Sequence, residues 1–169
     1  MPAQALTVEK PRRLAMSKRH NVVEAGDVFL VPLLDGRYSV GQVLDFMMPN
    51  APSCAIYGQT TPFPPERPIE ILRNDVICSV STTRDLLDSG RWKVVANRSV
   101  QLERARWPNE QFRSRNWVGA VTQGSGIVEN FLNAFHGLAP WDRYKDPNYF
   151  DEMLISEAIK PQVLVFKSH

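Results

Sequence analysis

The amino-acid sequence predicts an α+β fold: a curved, mostly antiparallel β-sheet or small open barrel, flanked by helices near the C-terminus. Three observations carry this. Short runs rich in β-branched and aromatic residues, bounded by Gly, Pro, Asn and Asp, recur from residue 28 to residue 122. Thirteen prolines and nine glycines imply many turns and disfavour a helical bundle. The two long segments with helical grammar come last.

The organising element is residues 26–46. Residues 28–31 and 38–44 read as two strands folded back on each other, with Asp35-Gly36 as the turn because both residues tolerate positive φ. Asp27 then fixes the start of the first strand, and Gly41 marks a bend or close packing within the second. Residues 47–51 form a turn and residues 54–57 a third strand. Residues 59–68 hold four prolines and read as a loop or an irregular sheet edge. Residues 69–72 and 76–81 are expected as short strands around an Arg73-Asn74-Asp75 turn. Thr82 or Thr83 should cap a short helix over residues 84–88, closed by Ser89-Gly90.

Residues 92–96, 100–106 and 116–122 follow as strands, with Leu102 pointing inward in the second. Ile127, Phe131 and Phe135 then fall four apart, with Val128 and Leu132 beside them, which predicts an amphipathic helix ended by Gly137. Asp146 as cap and Pro147 in the first turn open a second helix, whose buried face is Phe150, Met153 and Leu154. Pro161 stops it, and residues 163–166 are a last apolar strand.

A chain of 169 residues suits one domain, here residues 22–169, with enough apolar content for a real core. Residues 1–21 lack periodicity and read as a disordered basic tail; residues 1–20 carry a net charge of +4 and the rest −2. A basic tail can touch nucleic acid or anionic membrane, but a solvated extension is the plainer reading. No apolar run is long enough to span a membrane and the N-terminus lacks a secretory core, so a cytoplasmic location is expected. Cys54 and Cys78 lie in strand-like surroundings and read as buried, reduced thiols. The three histidines are scattered and no metal-binding spacing is present, so neither metal nor cofactor is expected.

Each candidate site also has a plain structural role. Gly124-Ser125-Gly126 before a helix could cradle a phosphate, but the Lys and Ser or Thr of a nucleotide-binding loop are missing, and a strand-to-helix turn is the favoured reading. Residues 91–115 carry a net charge of +5 with Trp92, Trp107 and Phe112 interleaved, and Trp117 follows. That pattern suits a solvated sheet face, a protein-partner surface or a nucleic-acid surface. Residues 127–159 form an acidic counterpart of −4. His136 ends the first long helix, where a protonated imidazole would complement the dipole. No nucleophile and base can be paired from the sequence, so an enzyme is the weaker hypothesis.

Three separated motifs share a resemblance. Gly26-Asp27-Val28-Phe29 with Asp35-Gly36-Arg37-Tyr38-Ser39-Val40-Gly41-Gln42-Val43 resembles the opening of immunity protein family 26 of bacterial polymorphic toxin systems. Ser89-Gly90-Arg91-Trp92-Lys93-Val94-Val95 is similar to its middle strand, and residues 137–142 with 146–151 to its C-terminal signature. The resemblance implies a cytoplasmic, non-enzymatic antitoxin that binds a cognate toxin protein. Aromatic residues and arginine carry most interface energy, so the expected partner-binding residues are Trp107, Phe112, Arg113 and Arg115 on one side and Trp141, Asp142 and Tyr144 on the other. Trp141 has a competing role as a core plug. Two rivals stay open: a small-barrel endoribonuclease, whose opening strand pair is similar, and a nucleic-acid-binding module using the face from Arg91 to Arg115.

Overall fold

A computed structural model describes residues 22–168; the basic tail of residues 1–21 lies outside the described residues. Five strands, β1 (Asp27–Pro32), β2 (Tyr38–Met48), β3 (Ala51–Thr61), β4 (Val76–Ser81) and β5 (Lys93–Asn97), form one open sheet in the order β4-β3-β2-β1-β5. Every pairing is antiparallel. The α+β class and the unclosed sheet agree with the expectation. A short helix α1 (Asp85–Asp88) links β4 to β5, and α2 (Ser125–Phe135) and α3 (Tyr149–Met153) follow.

The β1–β2 hairpin is the centre of the sheet. Val28 pairs with Gln42 and Leu30 with Val40. Its loop is Leu34-Asp35-Gly36: the Gly36 amide donates to the Leu33 carbonyl at 3.1 Å, and the Leu33 amide donates to the Arg37 carbonyl at 2.8 Å. Gly36 sits at φ +87°, the left-handed conformation that a three-residue hairpin loop needs at its last position. Asp35 accepts from the Arg37 amide, and that bond holds its carboxyl below the usual range.

Alternate residues of each strand enter two separate cores. Phe29, Val31, Val43, Cys54, Ile56, Cys78 and Trp92 pack with Val128, Phe131, Leu132 and Phe150 of the helices. Val28, Leu30, Val40, Leu44, Ala55 and Tyr57 face the other way and are covered by Ile69 and Leu102 from irregular segments, with Trp107 beside them. Both faces of β1 and of the first part of β2 are therefore sealed: β1 reads as a continuous apolar run, and β2 buries even Ser39 and Gln42. Cys54 and Cys78 are free and fully buried; burial raises both thiols, that of Cys78 to about 12, so neither is a nucleophile at neutral pH.

Four expected strands do not form. Residues 69–72 are coil: Ile69 plugs the second core, but β4 already occupies the free edge of β3. Residues 100–106 bury Leu102 as expected, yet the backbone leaves the sheet and turns through a 3-10 helix at Arg104–Arg106. Residues 116–122 are broken by left-handed backbone at Asn116 and Trp117. Residues 163–166 make one isolated bridge, Val165 to Pro140, and Val163 and Phe166 stay exposed.

α1 and α2 form where expected, but the helix after Asp146-Pro147 is shorter: α3 buries Phe150 and Met153, while Leu154 leaves it in extended backbone and bridges to Cys78. Capping differs: Thr83 does not cap α1. Its hydroxyl instead donates to Asp85 and accepts from the Ser125 amide at 3.0 Å. The Ser125 hydroxyl donates to Asp85 as well, so the first amide of α2 is taken by Thr83 and its first side chain by Asp85, and the Gly124-Ser125-Gly126 loop acts as a turn. Asp146 precedes α3, its carboxylate accepting from the Asn148 amide; Pro147 lies in that turn and Asn148 is the residue before the helix.

Candidate functional site

Between β5 and α2 the chain makes a long excursion, residues 98–122, here termed the strap. It leaves one edge strand of the sheet and ends beside the other. At its start, the Arg98 amide donates to the Gly26 carbonyl at 2.9 Å. The buried Gln42 amide donates to the carbonyls of Arg98, at 2.8 Å, and Gly26, at 3.3 Å. Asp27 accepts from the Glu24 amide and the Asn97 side chain, fixing the same corner. At the far end, the Gln123 amide donates to the Ser81 carbonyl of β4 at 2.8 Å.

The strap is built from two 3-10 turns, Arg104–Arg106 and Glu110–Arg115. Asn109 stands between them at φ 61°, and its side chain forms a two-way clasp: Nδ2 donates to the Val121 carbonyl at 2.8 Å and Oδ1 accepts from the Val121 amide at 3.0 Å. Asn116 at φ 53° and Trp117 at φ 66° are also left-handed. Three non-glycine residues in this conformation within one segment store backbone strain, which surrounding contacts must hold.

Those contacts form a continuous array. The Arg104 guanidinium lies 5.5 Å from the Trp107 ring centre and the Arg113 guanidinium 4.7 Å from that of Trp117. Glu110 joins them, accepting from Arg104 Nε at 3.1 Å and from Arg113 Nε at 2.7 Å and a terminal nitrogen at 3.1 Å. The Arg113 hydrogen bonds, with Arg104 second, hold the Glu110 carboxyl below its usual range. Trp107 further donates its indole N–H to the Leu102 carbonyl at 2.9 Å and packs on the second core. Phe112 covers Gly119, where a Cβ would come within 3.0 Å of its ring.

Charge on the strap is unbalanced. Glu110 is shared by two arginines, and Glu103 pairs with Arg73 from outside the segment. Among the described residues, Arg98, Arg106 and Arg115 make no ion pair, and all three are exposed. Val118 at 71% and Val121 at 59% exposure add apolar surface in the same segment.

The expected partner residues thus divide. Trp107, Phe112, Arg113 and Arg115 come together on the strap. Trp141, Asp142 and Tyr144 follow α2 instead, and each is engaged by another part of the chain. Trp141 is 2% exposed and packs edge-on to Phe150, so it serves as the core plug. Asp142 accepts from the Lys167 amide, and the Tyr144 hydroxyl accepts from Asn130. The acidic pole is likewise dispersed: Glu129 accepts from both Arg91 and the Trp92 indole, while Asp151 pairs with Lys160. His136 also departs from expectation, since its Nε2 is buried without a hydrogen-bond partner and burial lowers its pKa despite the helix end. Sequence reasoning missed Gln42, Glu110 and Asn109; only the left-handed tolerance of Asn gave a signal.

Fold and surface define a small α+β protein whose sheet is sealed on both faces and spanned by a cationic strap. The family model of immunity protein 26 matches residues 24–119, more than half of the sequence, and the chain belongs to that family. The match takes in the hairpin, the Gly90–Trp92 motif and nearly all of the strap; residues 137–151 lie beyond it. No curated protein and no solved structure matches the chain. Among the described residues, no helix is long and apolar enough to cross a membrane.

Proposed function

We propose that this protein is a cytoplasmic, non-enzymatic antitoxin that neutralises a cognate bacterial polymorphic toxin domain by binding it directly. Membership of the immunity protein 26 family is the observation that carries the reading. The strap supports it: an immunity protein needs a rigid, chemically distinctive surface, and preorganised side chains lower the ordering cost of association. Residues 22–169 act as the binding unit, and Trp107, Phe112, Arg113 and Arg115 contribute the contact surface.

Co-expression with the toxin encoded beside it tests the proposal. The two proteins should co-purify as a one-to-one complex, and cells carrying both should grow where the toxin alone arrests them. Expression of this chain by itself should leave growth and cellular RNA unchanged; RNA loss would instead favour the endoribonuclease reading. If the neighbouring protein is harmless and forms no complex, the antitoxin reading fails.

A further inference from the structure

We propose that the strap docks an acidic protein surface, with partner carboxylates meeting its arginines and partner side chains covering Val118 and Val121. This rests on the toxin-binding reading and names the chemistry of the partner's contact surface.

Charge argues for acid. Five arginines lie on the strap, and its two glutamates are already committed, Glu110 to Arg104 and Arg113 and Glu103 to Arg73. Arg98, Arg106 and Arg115 remain exposed without an ion-pair partner among the described residues. Geometry argues for carboxylates in particular. Arg104 binds Glu110 through Nε alone, leaving its terminal nitrogens to present two parallel N–H donors to a second acid. Its stack on Trp107 holds that fork in place before a partner arrives.

The same packing disfavours nucleic acid, which binds such segments by stacking bases on free aromatic rings. Here Trp107 lies between Arg104 and the second core, Trp117 carries Arg113, and Phe112 covers Gly119. A base would have to displace an arginine or uncover a glycine. The large apolar side chains that the strap leaves freely exposed are Val118 and Val121, which suit protein side chains.

The test compares the full-length chain with Arg106→Glu/Arg115→Glu and Arg106→Lys/Arg115→Lys variants, all required to melt at the wild-type temperature. Surface plasmon resonance against the neighbouring toxin domain, at low and physiological salt, gives association rates. The Glu pair should slow association about tenfold at low salt and flatten its salt dependence, with the Lys pair near wild type. An unchanged rate in the Glu pair overturns the proposal while leaving the antitoxin reading intact. A second arm uses a fluorescein-labelled poly-glutamate peptide and a single-stranded DNA oligonucleotide of equal length, independent of any toxin. Peptide binding lost in the Glu pair supports the proposal; an oligonucleotide bound as tightly as the peptide, or no peptide binding at all, overturns it. Absence of toxin binding with peptide binding retained would sink the antitoxin reading alone.

Discussion

Replacing Gly41 with alanine places one methyl group against the fully buried ring of Phe29. A Cβ at Gly41 would lie 2.3 Å from the Phe29 Cζ and 2.5 Å from Cε2. That is more than an ångström inside the contact distance of about 3.5 Å for two carbons. Phe29 is fully buried and stacks on Trp92 at 5.3 Å with only 3° between the rings. Trp92 is also fully buried, and its indole N–H is fixed on Glu129 at 3.0 Å. The clash must therefore move the Phe29–Trp92 stack or shift β2 against β1. Overpacking of this kind costs about 3 kcal/mol, the upper end of its usual range. For a chain of this size that corresponds to a melting temperature lower by about 6–12 °C. Urea denaturation of Gly41→Ala, Phe29→Leu and the double variant gives the magnitude and the coupling. Because leucine vacates the clash volume, the double variant should lose at least about 0.5 kcal/mol less than the sum of the singles. Gly36→Ala is the control: it meets nothing within 4 Å but keeps φ +87°, so only backbone strain of about 1 kcal/mol applies. A Gly41→Ala protein within about 0.5 kcal/mol of wild type, or additive singles, would refute the packing account.

Other perturbations address the strap, the helix interface and pH. Asn109→Ala loses both bonds to Val121 and strains the backbone, whereas Asn109→Gly loses only the bonds; the first should cost about 2 kcal/mol and the second about 1, and limited proteolysis should nick the strap of the alanine variant faster. Glu129→Ala leaves the buried Trp92 N–H without its acceptor and should cost about 2 kcal/mol, read by urea denaturation and a shifted tryptophan emission. His136 has a folded-state pKa lowered chiefly by burial, with Arg37 adding to the effect and Asp35 opposing it. A depressed base binds its proton more readily when unfolded, so its contribution is present above about pH 6.5 and declines as pH falls below that value. His136→Gln should flatten the loss of stability that sets in as pH falls below about 6.5; an unaltered profile would show that the imidazole is solvated.

The legible and illegible parts of this fold separate by physical cause. The β1–β2 hairpin is legible because its apolar runs and its turn chemistry agree, and α2 because Ile127, Phe131 and Phe135 repeat at helical spacing. The strap was not. Leu102 could be placed inward from its neighbours, but inward residues at 102 and 107 are spaced for neither a strand nor a helix. The chain there is shaped by side-chain contacts with no local pattern, such as Glu110 holding Arg104 six residues away. Trp117 gives no sign of a left-handed backbone, which tertiary contacts impose on it. Trp107, Phe112, Arg113 and Arg115 fall within one short stretch of sequence, so composition alone groups them on the same segment. Trp141 matches the same composition rule, yet its flanking helices draw it into the core.

Because the strap is fastened at Arg98 beside β5 and at Gln123 beside β4, it runs from one margin of the sheet to the other. It is a brace across an open structure. A ligand that grips a brace resists the separation of both margins at once, so the benefit of complex formation extends well beyond the contact area. At a ligand concentration one hundred times Kd, the complex gains about 2.7 kcal/mol against global unfolding. Here that gain should appear first as slower amide exchange in the outermost strands, β4 and β5, neither of which the partner needs to touch.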